Sequence, residues 1–465
     1  MEVRSAVILA AGKGTRMKSS IPKVMHNILG KSMIMHVIDN LKASGVDNIV
    51  VVLGHEAALV QSHLKDVEHL TFVEQTEQLG TAHALLQAES ALKDTQGVTM
   101  VAYGDVPLFS STSFSRVFEA HEATGADATI VSGILADATG YGRIIRDVAT
   151  SHVLGNVEEK DATTEQKKIQ EFNAGTYCFN NSSMFTILHQ ITNDNAQREY
   201  YLPDAIGLYV KAGARVEGYL IDDVREVMGV NDRVALAEVA DLLSRKINHQ
   251  WQLAGVSIMQ PNNTYIGTDV VLESDVVVEP NTTIFGKSTV KRGVHIGSNS
   301  EIVDSYIGEN THIKQSVIVD SHIGPENTVG PFAHIRAGAM TGEGNRIGNF
   351  VEVKQSKLGD ETKAAHLTYI GDSEVGARVN FGCGSITVNY NGVSKAKTNI
   401  GDDVFIGCNA NLLAPLTIGN HAFIAAGTTV DRDVEADDLA IGRIRQENKQ
   451  GYGVKIKERY KNEKK

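Results

Sequence analysis

The sequence predicts two domains of different class: an α/β, Rossmann-like domain and, after one linking helix, a parallel β-helix built from hexapeptide repeats. Three observations predict it. Up to about residue 230, short apolar runs alternate with amphipathic segments, the mark of βα units and a mainly parallel sheet. One stretch of helical period follows. A six-residue aliphatic period then runs nearly to the end of the chain.

In the first region, residues 6–9, 49–53, 98–102 and 128–131 read as strands, and 33–43 and 81–92 as helices. Ligands of an open α/β sheet sit at the carboxyl ends of its strands, so the loops after those strands hold the candidate site. In the second region Leu236, Val239, Leu243 and Ile247 recur at three- and four-residue steps, which predicts one helix over 232–252. Beyond it the ladder begins Ile266, Leu272, Val278, Ile284, Val290, Ile296, Ile302 and continues through Ile335, Val353 and Ile370 to Ile424 and Val430. Each aliphatic residue points inward, and Gly or Asn turns the corner. The rhythm breaks at length only across 387–399, which is expected to leave the coil as an external loop. The expected domains are thus 1–231, the helix 232–252, the β-helix 253–442 and a tail, 443–465.

Composition excludes several classes. With 42% hydrophobic and 22% charged residues the chain is globular, and a net charge of -12 argues against a general nucleic-acid binder. The tail is the exception, with nine Lys/Arg against three Glu; it is either a solvated end or a patch for a phosphorylated ligand. The three cysteines, Cys178, Cys383 and Cys408, form no CxxC pair, so neither a disulfide framework nor a zinc module is indicated. The run from Val7 to Ala11 is too short for a signal peptide and no segment reaches membrane-span length, so no membrane insertion and a cytoplasmic location are expected.

The first strand leads into Leu9-Ala10-Ala11-Gly12-Lys13-Gly14-Thr15-Arg16-Met17, with Pro22-Lys23 after it. Met17 stands where a dinucleotide GxGxxG needs glycine, and no Gly-Lys-Ser/Thr closes a Walker A loop. Glycines let backbone N–H groups approach phosphate oxygens, and Arg16 and Lys23 offset the charge that develops when an α-phosphorus is attacked. This string resembles the sugar-nucleotide pyrophosphorylase family. Gln75-x-x-Gln78-Leu79-Gly80-Thr81 is similar to that family's uracil-reading loop, and Tyr103-Gly104-Asp105 ends an apolar strand with a carboxylate. Asp105 reads as a turn aspartate or, beside the glycine loop, as a Mg2+ ligand. Asn231 by itself reads as a helix N-cap, whereas the resemblance makes it the second Mg2+ ligand. Gly142, Glu158 and Asn173 match the family's N-acetylhexosamine contacts. Two positions depart from the pattern: Glu159 where the family has His, and Arg198 where it has Gly.

In the β-helix, Arg336, Lys354, His366 and Tyr369 fall on successive coils. That spacing suits a sugar-phosphate clamp of Arg336, Lys354 and Tyr369 beside a general base, His366, since the neutral form of an imidazole is available near pH 7. The whole chain, including Asn380-Phe-Gly-Cys383-Gly and Asn389-Tyr390, resembles the bifunctional N-acetylglucosamine-1-phosphate uridyltransferase/glucosamine-1-phosphate acetyltransferase family. The resemblance implies a left-handed β-helix and makes the first domain a nucleotidyltransferase. It also implies that His366 is catalytic, that Asn380, Asn389, Tyr390 and Lys395 hold substrate, and that the Cys383 N–H stabilises an oxyanion. Cys408, Ala426 and Arg443 would line the acetyl-CoA site. UTP, acetyl-CoA, glucosamine 1-phosphate and N-acetylglucosamine 1-phosphate are the implied substrates, Mg2+ the cofactor. A homotrimer is expected by analogy with other hexapeptide coils. Two other readings are a single-function pyrophosphorylase with a structural β-helix and a regulatory exchange-factor subunit; the Arg336/Lys354/His366/Tyr369 set and the intact glycine string argue against them.

Overall fold

A computed structural model describes residues 3–463 and divides the chain into two compact units, Met1–Arg245 and Lys246–Lys465. The division falls inside a helix, Arg233–Leu253.

The first unit is built on a nine-stranded sheet: β1 (Arg4–Leu9), β2 (Asn48–Leu53), β3 (Leu70–Glu74), β4 (Val98–Tyr103), β5 (Ala128–Ile134), β6 (Arg143–Arg146), β7 (Val153–Val157), β8 (Glu171–Asn180) and β9 (Val216–Leu220). The order is β9-β5-β8-β4-β1-β2-β3, with β6 and β7 as a hairpin beside β8. β8 runs antiparallel to both its neighbours, while the β1, β2, β3 and β4 pairings are parallel. The central strands are apolar along their length because both faces are covered. Ile8, Val51 and Met100 pack under Ile34, Val37 and Leu41 of the helix Met33–Ala43. Val7, Val50 and Val101 face Leu85, Leu202 and Ile206 on the other side.

The helix expected over 81–92 is two helices, Thr81–Leu86 and Glu89–Leu92. The cause is local. The Gln87 side chain donates to the His83 carbonyl at 2.9 Å, the acceptor its own N–H would take in an α-helix, and that N–H turns to Ala84 O at 3.2 Å.

The second unit is the parallel β-helix. Ile266 pairs with Ile284 and Ile284 with Ile302, so one coil is three hexapeptides. Ladder residues from Ile266 to Ile424 lie at the axis; Ile284, Ile302, Ile335, Val353 and Ile370 are all 0% exposed. Polar residues inside the coil are satisfied by the rungs above and below: Asn327 Nδ2 donates to Gly324 O at 2.7 Å and Gly342 O at 2.8 Å, while its Oδ1 accepts from Asn345 N at 2.9 Å. The external loop is 389–397, narrower than expected because 387–388 and 398–399 stay in strands. Every pairing across it, Ser373 with Thr398, Asn380 with Phe405 and Ile386 with Asn411, takes the same lengthened step, and Tyr390 bridges back to Lys395. The tail ends in an exposed helix, Tyr452–Asn462. Among the described residues no helix is long and apolar enough to cross a membrane.

Candidate active sites

In the first unit the carboxyl ends of β1, β3 and β4 open on one cavity of about 370 Å3, lined by Leu9 to Gly12, Lys23, Gln75, Gln78, Gly80, Thr81, Tyr103, Asp105 and Asn231. Parallel register puts Leu9 beside Tyr103, so the glycine loop and the Gly104-Asp105 turn leave the sheet together. A Cβ on Gly12 would meet nothing within 4 Å, so its backbone faces open space. Gly14 sits at φ 59°, and a Cβ there would lie 2.7 Å from Lys23 Cβ; glycine is what lets Lys23 close over the loop. Lys23 Nζ then donates to Asp105 Oδ2 and, at 3.3 Å, to Asn231 Oδ1. Arg16 Nη2 donates to the same Asn231 oxygen at 3.0 Å. The helix cap is Asp232, whose Oδ1 accepts from Val234 N at 3.0 Å and Ala235 N at 2.9 Å. Asn231 is therefore not the cap, and its amide is turned into the cavity.

The segment from Gln75 to Thr81 is held from beneath. Gln78 Nε2 donates to Ala11 O at 2.7 Å, Gln75 Nε2 to Gly80 O at 3.1 Å, and Thr81 Oγ1 accepts from Leu202 N at 3.0 Å. A Cβ on Gly80 would strike Tyr200 O at 2.5 Å. Glu158, Asp161 and Asp204 form an acidic cluster. Burial, and then the Asp161 charge, raise the Glu158 carboxyl, while its hydrogen bond from Asn156 Nδ2 at 2.9 Å opposes them. Asp204, which sequence reasoning missed, is pushed up to about 6 by burial and by the Glu158 and Asp161 charges. A Cβ on Gly142 would meet Glu158 Oε1 at 2.8 Å, and Asn173 N donates to Gly142 O at 2.9 Å, so the three expected sugar contacts adjoin.

Both departures from the family pattern have a structural account. Glu159 pairs at 2.9 Å with Arg143, whose side chain is 1% exposed, so it is the counter-ion of a buried cation. Arg198 sits at φ 56°, the left-handed region where glycine carries no Cβ penalty.

In the second unit, His366 lies exposed on the strand Lys363–Gly371, and its Nδ1 is 2.9 Å from Asn349 Oδ1, one coil away. An amide oxygen only accepts, so this contact takes the Nδ1 N–H; in a neutral ring that tautomer leaves Nε2 as the acceptor. Arg336 and Lys354 are register partners. Arg336 is bonded to Glu352 Oε1 through Nε at 2.9 Å and Nη2 at 2.6 Å. Lys354 Nζ lies 3.7 Å from Asp372 Oδ2, which also accepts from Asn389 Nδ2. Asn389 Nδ2 reaches Tyr369 OH at 3.4 Å. The external loop returns Lys395 against Lys354, and that neighbouring ammonium holds Lys395 below the ordinary lysine range. Two ammoniums sharing one carboxylate leave a positive excess suited to an anion. Tyr390 is exposed on the loop beside them.

The remaining expected residues lie along other rungs. Asn380 pairs with Lys363 and Phe405. Cys383, Cys408 and Ala426 occupy equivalent corners of successive coils: Cys383 O accepts from Asn409 N at 2.9 Å and Cys408 O from Gly427 N at 2.8 Å. A Cβ on Gly427 would lie 3.8 Å from Arg443 Cδ, which continues the column. Asn349, Glu352 and Asp372 were missed because they are distant in sequence. Each stands one coil from His366, Tyr369 and Lys354 respectively, and that offset is the signal that finds them.

The folds and sites together define a nucleotidyltransferase joined to a hexapeptide-repeat transferase. Residues 5–232 match the nucleotidyl transferase family, and 397–432 match the bacterial transferase hexapeptide family of six repeats. The chain is 50% identical to the bifunctional protein GlmU of Halalkalibacterium halodurans, over 98% of this chain and 99% of that one. It is 47% identical to the GlmU of Listeria innocua, over 97% and 98%, and 46% identical to that of Listeria welshimeri, over 98% and 99%. The chain belongs to the bifunctional GlmU family. It is therefore a two-activity transferase, and the single-function and exchange-factor readings fall away.

Proposed function

We propose that the chain makes UDP-N-acetylglucosamine in two steps: acetyl-CoA acetylates glucosamine 1-phosphate, and UTP then converts N-acetylglucosamine 1-phosphate to product and pyrophosphate. The observation that carries the reading is the pairing, in one chain, of a glycine loop closed by Lys23 on Asp105 and Asn231 with a histidine whose Nδ1 is held by Asn349 Oδ1.

In the uridylyl step the sugar 1-phosphate oxygen attacks the α-phosphorus and pyrophosphate leaves. Backbone N–H groups of 10–12, Arg16 and Lys23 neutralise the developing charge; positioning and electrostatics supply the catalysis. Gln75, Gly80 and Thr81 frame the base, Tyr103 and Gly104 the floor, and Gly142, Glu158 and Asn173 the N-acetylhexosamine. One carboxylate and one amide oxygen converging on the same ammonium suit Mg2+, which takes few protein oxygens and fills its shell with phosphate and water. Asp105 and Asn231 would hold it, and when bound it offsets phosphate charge.

In the acetyl step His366 Nε2 takes the proton of the attacking amine, and the Cys383 N–H faces the oxyanion. Arg336, Lys354, Tyr369, Asn380, Asn389, Tyr390 and Lys395 hold the sugar phosphate; Cys383, Cys408, Ala426 and Arg443 line the acetyl-CoA column. The cytoplasm, where UTP and acetyl-CoA are made and used, is the proposed location. The hexapeptide coil supports a homotrimer.

Mass spectrometry of products from glucosamine 1-phosphate, acetyl-CoA, UTP and Mg2+ tests the whole scheme. Asp105→Ala is expected to accumulate N-acetylglucosamine 1-phosphate. His366→Ala is expected to lose on the order of 10²–10⁴ in acetyl transfer while still using added N-acetylglucosamine 1-phosphate. Loss of both activities in either folded variant overturns the assignment.

A further inference from the structure

Two of the three cysteines stand on neighbouring rungs of one corner. Phe381 pairs with Ile406, and Gly382 N donates to Ile406 O at 2.7 Å. Asn409 N donates to Cys383 O at 2.9 Å, so the pairing holds on both sides of residues 383 and 408 and makes them rung partners. Both side chains are exposed. Neighbouring strands lie ~4.8 Å apart, inside the ~4.4–6.8 Å Cα separation a disulfide spans. Gly382 and Gly384 flank Cys383, and Gly407 and Asn409 flank Cys408; of these flanking positions only Asn409 carries a side chain, and its Oδ1 lies over Gly384 rather than between the two rungs' preceding glycines. The next rung carries Ala426, which has no sulfur, and the third cysteine, Cys178, is fully buried in the other unit.

We propose that Cys383 and Cys408 are a dithiol modification site that a small-molecule disulfide oxidises to an intramolecular disulfide, and that this bond switches acetyl transfer off. The thiolate of one cysteine attacks a sulfur of the reagent, forming a mixed disulfide and releasing one thiol. The second cysteine, deprotonated, attacks its neighbour's sulfur, forming the Cys383–Cys408 bond and releasing the second thiol. Two protein thiols are oxidised and the reagent is reduced to two thiols. The bond ties together the two rungs that face the acetyl donor and fixes the turn whose N–H faces the oxyanion. The effect on activity rests on the proposed acetyl-CoA column; the bond itself does not.

The test treats the full-length folded enzyme with hydroxyethyl disulfide and reads bond and activity separately. Peptide mapping under non-reducing conditions is expected to link Cys383 to Cys408, with two thiols lost and no retained adduct. Acetyl transfer should fall more than ~10-fold, return with dithiothreitol, and leave uridylyl transfer unchanged. Cys383→Ala and Cys408→Ala should each retain one hydroxyethyl adduct and no link, with activity compared only with the same variant when reduced. Separate stable adducts on both cysteines of the parent overturn the dithiol, and protection of those cysteines by acetyl-CoA would then leave the donor column standing. A linked peptide with undiminished acetyl transfer overturns the switch and the column together.

Discussion

In the proposed acetyl step Asn349 is a positioning residue, which acts on the reacting atoms only through His366. Its Oδ1, 2.9 Å from Nδ1, selects the imidazole tautomer whose Nε2 is basic. Asn349→Ala should lower kcat for acetyl transfer by ~10-fold with KM for glucosamine 1-phosphate unchanged, and Asn349→Asp, which keeps an acceptor, should restore most of it. Steady-state kinetics of the two variants check this; an equal rise in KM would mean Asn349 binds substrate instead. His366 was legible in the sequence through its motif, whereas Asn349 became visible only once the coil length was known. Arg198 shows a different limit. Its departure from glycine is plain in the string, but the φ of 56° that explains the family's glycine belongs to the folded backbone.

At the scale of elements, the glycine loop and strand ends were readable because each is a local run with a local cause. The acidic cluster was not, since Glu158 and Asp161, which follow the β6–β7 hairpin, meet Asp204 of the helix Asp204–Lys211 only in the fold. Asp204 lies in that helix's first turn, where the dipole favours its charge, yet burial and the two carboxylates outweigh this and raise its pKa from 3.8 to about 6. A carboxyl raised on folding binds its proton more tightly in the native state. Its ionisation therefore costs stability fully above about 6, and the cost vanishes as pH falls below 3.8. Asp204→Asn should thus be more stable than the parent by roughly 1 kcal/mol or less near neutral pH, after allowance for solvent screening, with the gap closing toward about pH 4. Urea midpoints of both proteins across that range check it. The helix over 81–92 marks the same boundary of legibility: its period is continuous, and only the Gln87 side chain's capture of His83 O divides it.

Across the whole molecule, the change of period from α/β alternation to hexapeptides was the strongest signal, because each coil repeats one inward position. The repeat also builds a surface that no single hexapeptide reveals. Phe332, Phe350 and Leu367 fill successive corners, 49%, 57% and 59% exposed, and the two rings stack 5.4 Å apart. Bulky residues at positive φ are uncommon, and an exposed apolar ridge of them suits burial against another chain. Light scattering should give a trimer's mass for the parent and a smaller mass for Phe350→Glu; a monomeric parent would remove the proposed assembly.

Asn231 and Asp232 are adjacent residues with opposite assignments, one amide turned into the cavity at the strand ends and one carboxylate holding the first turn of the helix Arg233–Leu253. A ligand that fixes the first must restrain the second through a single peptide bond. The amides of Val234 and Ala235 thereby become a built-in reporter: their hydrogen exchange should slow several-fold when Mg2+ and UTP bind, and Asn231→Ala should silence the response without unfolding the turn. Occupancy of the proposed phosphate site would then be readable from the first turn of a helix.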